Sequence, residues 1–132
     1  MFLVMCQRGT HRWLSGIFLA RTDAVSYVDE VPEDLRPIQR VVEASPNEYP
    51  VYLIEDVNGL VAHSSTSLEK LLASLERVSG DDWCYFNVYR FTEDWRPPRP
   101  GTDYMGAIAH VHVANRHLDR VDAAGIDSLW QG

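Results

Sequence analysis

The chain has 132 residues, 45% hydrophobic and 11% aromatic, enough for one domain to build a core without metal or disulfide staples. Its 12 Lys and Arg stand against 19 Asp and Glu, a formal charge of −7, which works against binding a phosphate backbone and favours basic partners. That composition excludes a disordered chain and argues against a nucleic-acid partner.

In chain order, residues 2–6 and 12–20 read as two strands joined by a turn at Arg8-Gly9-Thr10. In the second, Trp13, Ser15, Ile17 and Leu19 alternate with Leu14, Gly16, Phe18 and Ala20. Apolar residues on both faces predict a strand covered on each side. Thr22 is placed to cap a helix, with Asp23 in the first turn where the helix dipole favours an acid. Ala24, Tyr27, Val28 and Val31 form its apolar stripe, and Pro32 stops it.

Pro37 opens an extended piece, Ile38 to Glu43, and Pro46-Asn47-Glu48 makes a turn into a strand from Pro50 to Glu55. Asn58-Gly59 signals a hairpin into Leu60-Val61-Ala62. Thr66 and Glu69 form a capping box for a helix with Leu68, Leu71, Leu72, Leu75 and Val78 on one stripe, ending at Ser79-Gly80.

Trp83 to Phe91 reads as a strand, followed by a proline-rich loop and a strand from about Ile108 to Val113. Asn115 is expected to cap a last helix carrying Leu118 and Val121, with Gly125 after its end and Ile126, Leu129 and Trp130 folding back on the core. No repeat, low-complexity tract or linker is seen. The elements predict a single α+β domain over 1–132, a largely antiparallel sheet of about five or six strands with two or three helices packed on it.

Cys6 and Cys84 sit in apolar strands without CxxC spacing, so reduced thiols are expected. The apolar start Met1 to Cys6 lacks a basic flank, and no apolar run reaches about 18 residues. A cytoplasmic protein away from membranes is expected.

Glu93-Asp94-Trp95-Arg96-Pro97-Pro98-Arg99-Pro100-Gly101-Thr102-Asp103-Tyr104 carries acids and aromatics on a proline-stiffened loop, and leads into His110 and His112. Two residues apart in a strand, these imidazoles share a face, as metal ligands in β proteins do; His117 or Asp103 would complete a set. The opposite face, Ala107, Ala109, Val111 and Val113, is assigned to the core, leaving the histidines to solvent, a groove or a partner. No HExxH or Cys-rich companion accompanies them, and a pH-sensitive polar pair has the same spacing.

No GxSxG elbow is present, and His63 beside Ser64 to Ser67 is accounted for by helix capping. Phosphate-binding glycine loops are absent. The paired acids lie beside turns, and none stands out as buried; Glu55 ends an apolar strand and reads as its exit. Arg96 and Arg99 are surrounded by Glu93, Asp94 and Asp103, and Tyr85, Tyr89 and Phe91 read as a sheet face under a helix. Trp95, Tyr104 and Tyr49 are either interface anchors or plugs that pack back on the domain.

The chain resembles the small acidic cytoplasmic immunity proteins of bacterial polymorphic and type VI secretion toxin systems. The likeness runs through Gly16-Ile17-Phe18-Leu19-Ala20-Arg21-Thr22-Asp23-Ala24, Glu48-Tyr49-Pro50-Val51-Tyr52-Leu53-Ile54-Glu55, the helix after Thr66 and the Glu93 to Asp103 loop. It implies a protein without cofactor that occludes the active site of a cognate toxin domain, binding neither nucleic acid nor membrane. The implied contact surface is Glu93, Asp94, Trp95, Asp103, Tyr104, His110 and His112, with Glu55 and Asp56 as rim charges. Trp95→Ala or Asp94→Arg would then weaken binding and leave the fold intact. Exposed strand edges are compatible with a monomer or a homodimer. The alternative is a small metal-dependent enzyme using the His-x-His site.

Overall fold

The computed structural model describes residues 1–35, 40–56, 59, 61–78, 84–104, 106–114 and 117–122. The apolar run from Phe2 to Cys6 makes β1 (Phe2–Arg8), and a turn through Gly9 at φ 62° returns it as β2 (His11–Phe18). After α1 (Arg21–Glu30), β3 (Arg40–Glu43) pairs with the other side of β1, giving an antiparallel sheet ordered β2-β1-β3. Val4 and Cys6 face α1, where Ala24 and Tyr27 are buried against them, while Leu3 and Met5 face the opposite way.

The chain then builds β4 (Val51–Asp56), β5 (Val61–Ser65), α2 (Leu68–Val78), β6 (Cys84–Phe91), β7 (Ala109–Ala114) and β8 (His117–Asp122). These strands form a second antiparallel sheet ordered β5-β4-β6-β7-β8. Leu68, Leu71, Leu72 and Leu75 of α2 pack on its outer face against Ile54, Phe86, Val88 and Val111. The inner faces of the two sheets meet through Leu3, Leu14 and Ile17 on one side and Val51, Leu53, Tyr89 and Phe91 on the other. The layers therefore run helix, sheet, sheet, helix, with apolar contact at each junction.

One connectivity occurs twice. In β1-β2-α1-β3 and again in β4-β5-α2-β6, a hairpin is followed by a helix and then by a strand that pairs antiparallel with the first strand of the hairpin. Each hairpin also shifts register once, at Val4/Met5 and at Ile54/Glu55. No repeat is legible in the sequence, because the units share a pattern of side-chain period rather than residues.

The α+β class and the antiparallel pairing match expectation, but the strands divide between two sheets instead of joining one. The helix expected to carry Leu118 and Val121 is instead β8, in register with β7 from Ala109↔Asp122 to Ala114↔His117. Here the unpaired edge of β7 supplies backbone partners that outweigh a weak local helix signal. The expected cap Asn115 and residues 125–130 lie outside the described residues, as do Pro37, Asn58, Ser79, Gly80 and Trp83.

Both helix starts differ by a residue or two from the expected caps. Ala20 stands at the start of α1 without a side-chain cap, and Thr22 lies in the first turn. At α2 the cap is Ser67, whose Oγ accepts the Lys70 N–H at 3.4 Å, and not Thr66. Tyr89 and Phe91 face the other sheet rather than a helix. Among the described residues no helix is long and apolar enough to cross a membrane.

Candidate functional site

The proline-rich loop is tied to the domain along its length. Trp95 and Ile17 exchange two backbone hydrogen bonds of 2.9 Å, and the Tyr104 N–H donates to the Leu14 carbonyl at 3.0 Å, so the loop covers the outer edge of β2. The Trp95 ring meets Tyr104 edge-on at 4.5 Å, and Tyr104 packs on Phe91 at 4.8 Å and Tyr89 at 5.4 Å. Both aromatics thus plug the inter-sheet core.

A directed chain of hydrogen bonds lies beneath the loop. The Gly101 N–H donates to Tyr27 Oη at 2.8 Å, and Ser15 Oγ donates to the Thr102 carbonyl at 2.9 Å. With the serine hydrogen committed to a carbonyl, the 2.7 Å contact between Tyr27 and Ser15 must carry the tyrosine hydrogen. Trp13 Nε1 donates to the Gly101 carbonyl at 2.8 Å. On the surface, Arg96 pairs through both terminal nitrogens with Glu30 and lies 4.9 Å over the Tyr27 ring.

Asp94 Oδ1 accepts the Leu19 N–H at 2.9 Å and the Tyr49 hydroxyl at 2.5 Å. Asp94 thereby joins the end of β2 to the segment entering β4. Burial first, then the Asp94 charge, hold the Tyr49 hydroxyl protonated well above the ordinary tyrosine range. Glu93 of the same loop is exposed, and its charge acts on the Tyr49 hydroxyl.

A different constellation forms where the two sheets open. Val51 and Leu53 point into the inter-sheet core, and two residues on, Glu55 follows the same face. Glu55 lies directly opposite Asn87, and Asn87 directly opposite His110, so three polar residues cross β4, β6 and β7 in one row. His110 Nδ1 is 2.6 Å from Asn87 Oδ1; an amide oxygen only accepts, so this imidazole nitrogen carries the hydrogen. Tyr89 Oη donates to Glu55 Oε1 at 2.9 Å.

From the first sheet and the loop, His11, Arg12, Asp103 and Tyr104 close a cavity of about 360 Å³ over this row, with Asp56 and Gly59 at its side. Glu55 is 6% exposed, and its Oε2 has no hydrogen-bond partner among the described residues. Burial, with the Asp103 charge adding to it, pushes the Glu55 carboxyl above its usual range, although Tyr89, the Leu14 backbone and Asn87 pull the other way. Asp103 is also raised, by burial, against the attraction of His11. Tyr89 is pushed up by burial and by Glu55, which keeps it a hydrogen donor.

The structure therefore gathers Glu55, Asp56, Asp103, Tyr104 and His110 around one cleft, and leaves Glu93, Asp94 and Trp95 outside its lining. Glu55, expected at a rim, is its buried floor. His112 stands opposite Tyr85 in the strand register, and its side chain lies outside the described part. Asn87, His11 and Arg12 carry no expectation from the sequence, and Tyr89 only that of a sheet face. Period-two parity within β4 and β6 was the available signal, because it places Glu55 with Leu53 and Asn87 with Tyr89.

Among the described residues, no three His, Cys, Asp or Glu side chains come together as a metal-ligand set. A larger depression of about 520 Å³ lies on the α1 side of the loop, but its Arg8 and Asp34 already pair with each other at 2.9 Å. Compared with protein-family models, curated proteins and solved structures, the chain matches none.

Proposed function

We propose that this chain is a stoichiometric inhibitor of a toxin domain, an immunity-type protein, whose contact surface is the inter-sheet cleft and its acidic mouth. The observation that supports it is the cleft itself: a carboxylate at its floor, Asp103 and Asp56 beside it, on a chain of net charge −7. A surface of that sign raises the rate of encounter with a basic partner. The proline loop is braced by the Tyr27, Ser15 and Trp13 bonds before any partner arrives, which lowers the ordering cost of association.

This moves the contact surface away from Glu93, Asp94 and Trp95, of which Asp94 and Trp95 brace the fold. The test is co-expression with the product of the adjacent coding sequence. Protection from its toxicity, with a one-to-one complex on purification, is expected. Asp56→Lys at the mouth should slow association several-fold and weaken its salt dependence. A neighbour that is harmless, or one that forms no complex, would remove this function.

A further inference from the structure

We infer that the cleft receives a cationic side chain of the partner, an arginine guanidinium or a lysine ammonium, docked on Glu55. The source of that side chain rests on the proposed function; the chemistry of the site rests on Glu55 and its surroundings.

Three observations carry it. Glu55 lines the cavity and is more than nine-tenths buried, Tyr89 donates to Oε1, and Oε2 is buried without a hydrogen-bond partner among the described residues. A carboxylate oxygen only accepts, and leaving a buried acceptor unmet carries a desolvation cost, larger when it is charged. An apolar guest would leave that cost in place, and an anion would meet Glu55, Asp56 and Asp103, which outnumber Arg12 in the same lining. A guest with N–H donors and positive charge removes it.

The size agrees. About 360 Å³ is near the lower end of ligand sites, which suits one side-chain head rather than a cofactor. The row also presets the geometry. Asn87 stands between Glu55 and His110 in cross-strand register, and Tyr89 fixes the carboxylate from one side, so a guest meets an acceptor already oriented. Arg12 and His11 reach the cavity from the β1–β2 hairpin, where His11 is drawn to Asp103. The raised carboxyl of Glu55 fits the same picture, since burial disfavours its charged form.

The experiment uses the whole protein with ¹³C-labelled glutamate carboxyls, titrated at constant ionic strength with Nα-acetyl-arginine amide and Nα-acetyl-lysine amide. Nα-acetyl-citrulline amide, which has the same shape without the charge, is the control. A saturable shift of the Glu55 signal with the cations, a fall in its titration midpoint, and no response to citrulline are expected. Glu55→Gln, which keeps an acceptor for Tyr89, should reduce partner affinity about tenfold or more. An unmoved Glu55 signal, or an equal response to citrulline, overturns the inference. A cation effect in a protein that binds no toxin would uphold the site and remove the inhibitor function. A tight complex formed equally well by Glu55→Gln would do the reverse.

Discussion

Gly59 lies against the backbone of Arg12: a β-carbon at Gly59 would stand 1.8 Å from the Arg12 carbonyl oxygen. This contact joins the tips of the two equivalent hairpins at the side of the cleft. Gly59 also has φ 79°, a left-handed conformation that costs other residues strain. Gly59→Ala should therefore destabilise the protein by about 3 kcal/mol or more, since neither the clash nor the dihedral can relax alone. Urea unfolding of the purified variant measures this, and a wild-type midpoint would show that the hairpin tips are not in contact.

Tyr27→Phe removes the link between Gly101 and Ser15 while keeping the ring under Arg96. The Gly101 N–H then loses its buried acceptor, at a cost of about 1–3 kcal/mol. Chemical denaturation should show that loss, together with faster protease cleavage within residues 96–103. Unchanged cleavage would mean that the proline ring constraints alone hold the loop.

Trp95 and Asp94, expected at an interface, bear contacts within the fold. Trp95→Ala should lower stability by about 2–3 kcal/mol, below the loss for a fully buried tryptophan because Trp95 is half-buried. Trp95→Phe should retain most of it. Asp94→Ala leaves the Leu19 N–H and the Tyr49 hydroxyl without their shared acceptor and should also shift the thermal midpoint downward. A fully stable Trp95→Ala protein would return this residue to the surface.

Glu55 makes stability depend on pH. Its folded carboxyl is raised, mainly by burial, so the native state holds this proton more firmly than the unfolded chain. That contribution is complete below the unfolded value of about 4.3 and is lost as pH rises through the higher folded value. Relative to Glu55→Gln, which does not titrate, wild type should thus gain thermal stability as pH falls from neutral toward that range. Parallel melting curves across pH for the two proteins provide the comparison. A difference that is flat, or that grows in the opposite direction, would show that the folded carboxyl is not raised.

Much of this architecture is legible in one dimension. Apolar runs and alternation mark β1, β2, β4, β6 and β7 within a few residues, and the leucines from Leu68 to Leu75 mark the face that α2 buries. Side-chain period is a local property of backbone geometry, so short windows carry it. Local sequence also ends α1 before Pro32 and turns the first hairpin at Gly9.

Alternation assigns residues to faces, but it does not say what will cover them. Glu55 shares a face with Val51 and Leu53 whether that face meets water, a helix or a second sheet; only the packing of two sheets makes it a buried carboxylate. The same holds for residues 117–122, where the edge of β7 turns a weak helical signal into a strand. It holds again for Trp95 and Tyr104, which the outer edge of β2 and the ring of Phe91 draw inward. Strand partners, edges and the desolvation of a single acid depend on residues far apart in the chain. Those long-range contacts, and not any local motif, create the cleft.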